Sequence, residues 1–171
     1  MRDPSNLLLG QPDGTFVEGA EAAGITRYER ARGAALVDLD LDGLLDLVVV
    51  NREAPVTLWR NAGDSESNDT SPMGHWLAVG LEQPAPNVNG VGAWIEVSTD
   101  SGTTVREVTV GGGHAGGQAG WIHTGLGTAD GADVRVTWPD GEVGEWITVD
   151  ADQFVTITRG SNEATAHVPT G

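Results

Sequence analysis

The sequence predicts an all-β chain, and three observations carry that reading. Short apolar runs of strand length are separated by Gly, Pro, Asp and Asn turn signals along most of the 171 residues. Pro139-Asp140-Gly141 sits between two such runs as a hairpin turn. Gln153 to Arg159 alternates polar and apolar side chains, the period of a half-buried strand.

Taken in order, Asn6 to Gly10 reads as a strand, Pro12-Asp13-Gly14 as a turn, and Thr15-Phe16-Val17 as its returning partner. Glu21 to Ile25 is expected to form a brief helical turn. Ala34 to Val37 and Leu47 to Val50 read as short buried strands, and Pro55 to Asn61 as a further strand. Residues 64–74, rich in Ser, Asp and Asn, read as a linker. Beyond it, His75 to Leu81, Val91 to Val97, Thr104 to Val110, Asp133 to Trp138 and Glu142 to Val149 continue the strand pattern. The tail 160–171 is expected to be disordered. The division is therefore 1–63, a linker at 64–74, a second β domain at 75–159, and the tail.

The segment Asp38-Leu39-Asp40-Leu41-Asp42-Gly43-Leu44-Leu45-Asp46 carries the chemistry. Four carboxylates so close together repel one another unless a hard cation sits among them, and Ca²⁺ takes six to eight oxygen ligands. Gly43 stands where the loop must turn sharply, at little conformational cost for glycine. Asp38, Asp40, Asp42 and Asp46 are the expected side-chain ligands, with the Leu44 carbonyl as a backbone ligand. An EF-hand is excluded, because position twelve counted from Asp38 is Val49 rather than a bidentate Glu, and strands rather than helices flank the loop. A solvated acidic turn without metal is the competing reading.

Composition narrows the partners. Nine Lys plus Arg against 25 Asp plus Glu give a net charge of −16, unsuited to nucleic acid or anionic membranes. With no cysteine, disulfides, thiol catalysis and zinc–cysteine sites are excluded. Met1 to Ser5 lacks an apolar signal core, so any export signal is expected upstream, and no apolar run is long enough to span a membrane.

Gly111 to Gly120 lacks the Lys and following helix of a phosphate loop. It reads as a turned connection, with Gln118 and Trp121 as candidates for ligand contact. His75, His114 and His123 match no compact metal spacing, and His75 and His123 are expected to pack or hydrogen-bond at strand ends. The six Trp stand mostly in apolar strand contexts, so core packing is their default, with a sugar platform as the alternative if two share an exposed face. No Ser lies in a nucleophile elbow, and the chain is read as a non-enzyme.

Two resemblances follow. Asn6 to Gly10 with Asp13-Gly14-Thr15-Phe16, then Ala35 to Val50, resembles the FG-GAP/VCBS repeat of integrin-α-type β-propellers, which places a calcium loop in a blade hairpin. The second half resembles the ASPIC/UnbV domain through His75-Trp76-Leu77, Asn89 to Ala93, Arg106-Glu107-Val108, His123 to Gly127 and Val136 to Gly141. It departs from that family at Gly111 to Gln118, where relatives carry Ser and Tyr. The resemblance implies a partial propeller blade with a calcium hairpin, plus a small antiparallel β-sandwich or barrel-like domain. Residues 1–63 supply about one blade and part of another, so further upstream blades, or packing of the lone blade on the ASPIC/UnbV-like domain or on a second subunit, is expected. It also implies an extracellular, calcium-binding module for adhesion or protein recognition. A carbohydrate-binding module and a biosynthetic accessory protein are the alternatives, and the partner is a protein or glycan.

Overall fold

The computed structural model describes residues 4–63, 74–112, 117 and 119–167. They divide into two compact units, one drawn from residues 1–39, 45–61 and 112–117, the other from 40–44, 62–111 and 118–171. Every regular element among the described residues is a strand.

In the first unit, β1 (Leu8–Gly10) and β2 (Phe16–Glu18) pair antiparallel, Leu8 facing Glu18. Their turn forms because Asp13 Oδ1 accepts from the Thr15 amide at 3.0 Å and hydroxyl at 2.7 Å, the local bonding that makes Asp a turn residue. These bonds hold the Asp13 carboxyl below its usual range. The turn expected near Glu21 closes through Ala23 N–H to Gly19 O at 2.9 Å and Ile25 N–H to Ala20 O at 2.9 Å.

β3 (Ala31–Val37), β4 (Asp46–Asn51) and β5 (Thr57–Trp59) make an antiparallel sheet in that order, with Leu36 facing Leu47 and Val37 facing Asp46. The expectation that both flanking runs are buried is corrected: Leu36 and Val50 are each 49% exposed. An unbroken apolar run suggests a strand covered on both faces, yet here full burial falls on Asp46 and Val49.

In the second unit, β7 (Trp94–Thr99), β8 (Gly102–Glu107), β10 (Gly131–Thr137) and β11 (Ile147–Asp150) form one sheet, ordered β11-β10-β7-β8. β6 (His75–Glu82), β9 (Ile122–Gly127), β12 (Gln153–Thr158) and β13 (Ala164–His167) form the other, ordered β13-β12-β6-β9. All pairings are antiparallel except β6 with β12, which run parallel from Leu77 and Gln153 onward. One apolar layer unites the two sheets: Leu77, Val79, Ile95, Val97, Val134, Val136, Val155 and Ile157 are all essentially buried. Their spacing of two along each strand is the alternation that points successive side chains to opposite faces.

Two open strand orders sharing a core make a sandwich; of the two expected forms, the barrel-like one is not found among the described residues. β11 begins at Ile147, later than the Glu142 expected, because the hairpin opens into a single bridge between Thr137 and Val143. The disordered tail is also corrected, since Ala164 to His167 form β13 along β12. The exposed backbone edge of β12 supplies the partner that sequence context could not reveal. Residues 64–73, the expected linker, and 168–171 lie outside the described residues.

Candidate metal site

The loop from Asp38 to Asp46 joins β3 to β4, and it is wound tightly. Leu41 has φ +63° and Gly43 φ +88°, both left-handed, a conformation that costs a non-glycine residue about 1–2 kcal/mol. This winding gathers Asp38, Asp40 and Asp42 so that one carboxylate oxygen from each lies within 4.8 Å of the others. Leu44 N–H donates to Asp42 Oδ1 at 3.0 Å, an Asx-type bond that orients that carboxylate. Three anionic oxygen donors on one loop are chemically matched to Ca²⁺, which also takes backbone carbonyls and waters.

The fourth aspartate stands outside this group. Asp46 is 2% exposed; its Oδ2 accepts from Leu39 N–H at 3.1 Å and its Oδ1 from Asn61 N–H at 2.8 Å. Asn61 Nδ2 in turn donates to the Leu45 carbonyl at 3.4 Å. Asp46 thus fastens both the start of the loop and the chain after β5. Sequence spacing alone grouped it with the other three, because a side chain's direction at the strand start is set by tertiary partners.

Residues 40–44 belong to the second unit, where Gly43 meets two aromatic side chains. His123 Nε2 lies 2.9 Å from the Gly43 carbonyl, and Trp76 lies so close that a Cβ on Gly43 would fall 2.0 Å from its Nε1. Trp76 and His123 stack with rings 7° from parallel and centroids 5.6 Å apart. Next to Trp76, at the start of β6, His75 Nδ1 pairs with Asp152 Oδ2 at 2.6 Å. The expected hydrogen-bonding roles of His75 and His123 are therefore found; His114 lies outside the described residues.

Of the two ligand-contact candidates, Gln118 lies outside the described residues. Trp121 packs its ring over Gly80, meets Phe154 and His167 edgewise or tilted, and lines a cavity of about 380 Å³ with Asn89, Val108 and Thr156. The default that the Trp side chains serve the core holds for Trp138, 4% exposed, and fails for Trp94 and Trp146, 47% and 43% exposed. Trp94 lies on β7 between the inward-facing Ala93 and Ile95, so alternation turns it outward. Beside it, Arg135 Nε and Nη2 donate to the two Glu96 oxygens at 2.7 and 2.9 Å. The pairing pulls the Glu96 carboxyl below its usual range and raises the guanidinium.

The comparisons with known proteins meet this geometry in the second unit. Residues 83–164 match the ASPIC and UnbV family model. The ASPIC/UnbV match covers β7 to β12 and reaches the start of β13. Cartilage acidic protein 1 of Homo sapiens and of Mus musculus are each 30% identical to the chain over 118 residues, and that of Xenopus tropicalis 29%. The alignment takes in 67% of this chain but 17% of each relative, so the chain spans a small part of the proteins it resembles. None of these names denotes a catalytic activity. Among the described residues, no helix is long and apolar enough to cross a membrane.

Proposed function

We propose that the chain is a calcium-stabilised, non-catalytic, extracellular-type recognition module that presents an ASPIC/UnbV sandwich to a protein or glycan partner. The observation that carries this reading is the convergence of Asp38, Asp40 and Asp42 within 4.8 Å. Ca²⁺ there neutralises the mutual repulsion of the three carboxylates, with backbone carbonyls such as that of Leu44 and water completing the shell. Its role is structural: it pins a loop whose backbone is already strained at Leu41.

The blade reading of the first unit, as an FG-GAP/VCBS-type repeat, is supported by its apolar surface. Leu8, Phe16 and Leu58 are 63%, 68% and 62% exposed. Neighbouring blades would cover such faces. The extracellular setting rests on the name of the relatives and on the acidic charge.

The test is thermal unfolding of the chain with 2 mM chelator and then with stepwise Ca²⁺ in excess, at concentrations on the order of 100 Kd, where binding stabilises by about 2.7 kcal/mol. The melting temperature rises with Ca²⁺, and Asp40→Asn with Asp42→Asn abolishes the rise. An unchanged melting temperature across the titration refutes the metal reading.

A further inference from the structure

The outer face of the β11-β10-β7-β8 sheet carries two exposed indoles with a preorganised polar bridge between them. Register places Arg135 opposite Glu96, and Glu96 opposite Val105; one pair further along, Thr137 faces Trp94 and Trp94 faces Glu107. Trp146 immediately precedes β11, and the Arg135 guanidinium lies 4.3 Å from its ring centroid. Trp94 and Trp146 are therefore flanking residues of one face, two strands and on the order of 10 Å apart across the sheet.

Each part of this face is held. Arg135 is fixed at one end by both Glu96 oxygens and stacks on Trp146, an arrangement that suits the planar guanidinium and costs little further ordering. Hydroxyl groups fill the neighbouring positions: Ser98 Oγ and Thr103 Oγ1 are 3.0 Å apart, and Thr148 Oγ1 donates to Asp133 Oδ1 at 2.6 Å. Ile95, Val97, Val134 and Val136 anchor the same strands in the core on the opposite side, so the platform is rigid.

We propose that this face binds a neutral polysaccharide, with Trp94 and Trp146 stacking on sugar rings and the Arg135–Glu96 pair hydrogen-bonding to ring hydroxyls. Aromatic side chains offer a flat apolar surface to the C–H face of a pyranose, and a few fixed polar groups set its orientation. Charge selects the class. The Arg135 cation is neutralised by Glu96, and the other ionised side chains that register places on the face, Glu107, Asp133 and Asp150, are acidic, in a chain of net charge −16. An anionic polymer would be repelled. The ion pair and the hydroxyls that separate the rings supply fixed donors and acceptors at the spacing of a sugar chain's own hydroxyls. The proposal stands apart from the calcium reading, since none of its residues lies in the 38–46 loop.

Affinity electrophoresis of the whole chain through gels containing mixed-linkage glucan, xylan, mannan, galactan or soluble chitin derivatives tests it, repeated in chelator to separate it from metal binding. The expected result is retardation by at least one neutral polymer, weakened at least tenfold in Trp94→Ala and in Trp146→Ala. Mass-spectrometric mapping of N-bromosuccinimide oxidation in the unmutated protein provides a second readout, with the bound oligosaccharide protecting Trp94 and Trp146. No retardation in any neutral gel, retardation by acidic polymers alone, or retardation indifferent to both substitutions overturns the proposal.

Discussion

The carbonyl oxygen of Gly43 accepts a hydrogen bond from His123 Nε2 at 2.9 Å, so that ring nitrogen carries the proton. The contact exists because Gly43 has no side chain: its φ of +88° lies in the left-handed region, and the Trp76 indole occupies the space a Cβ would need. Replacing Gly43 by Ala imposes both backbone strain and a clash with a ring already stacked on His123. The expected loss is about 2 kcal/mol, at the middle of the range for overpacking, read from urea unfolding in the presence of chelator. A change within error would show that Trp76 yields without cost.

Asp46 and Asp42 separate by experiment although they share a loop. Asp46 fixes two backbone amides through part-buried bonds, at Leu39 and Asn61, and removing its carboxylate leaves both donors without that acceptor, at about 1 kcal/mol for each bond. In chelator, Asp46→Ala therefore lowers stability by more than 1 kcal/mol while Asp42→Ala has a much smaller effect. With Ca²⁺ present, the Asp42 variant loses the metal-dependent part of the stability as well. Equal losses for the two variants in chelator would argue against separate roles.

The Arg135–Glu96 pair fixes a pH dependence with a definite sign. The guanidinium holds the folded Glu96 carboxyl below its ordinary value of 4.5. Its stabilisation is therefore present above pH 4.5 and is lost as the pH falls through the folded value. Melting temperatures of the wild type and Glu96→Gln should differ above pH 5 and converge as the pH is lowered below 4.5. A constant gap across that range would mean the bond contributes no differential ionisation.

Thr124, on β9, has 4% of its surface exposed and its Oγ1 has no hydrogen-bond partner among the described residues. A buried hydroxyl without a partner carries a desolvation penalty that an isosteric methyl does not. Thr124→Val is expected to stabilise the chain by about 1 kcal/mol, measured as a rise in the urea midpoint at constant slope. A lower midpoint would indicate that the hydroxyl is solvated.

Local chemistry was legible in the amino-acid order. The Asp13-Gly14 turn, the Pro139-Asp140-Gly141 turn and the strands around them follow from residues close in sequence, since their bonds span only a few positions. The gathering of Asp38, Asp40 and Asp42 was legible for the same reason: alternate aspartates with a glycine describe a tight loop before any long-range contact forms. What escaped were relations between distant segments. The parallel pairing of β6 with β12 joins residues more than seventy apart, and β13 is a strand because β12 offers it an edge. Asp46 was grouped with its neighbours by spacing, yet its oxygens are turned to Leu39 and Asn61.

By itself the sequence determined an acidic, cysteine-free, all-β chain with a loop suited to a hard cation, because charge, turn chemistry and strand periodicity are properties of short segments. Only the tertiary structure decided which face of each strand meets the core. That choice buries Trp138, turns Trp94 outward and brings Arg135 over Trp146. The physical reason is that a side chain's direction on a strand becomes burial or exposure only when a second sheet covers one of the two faces.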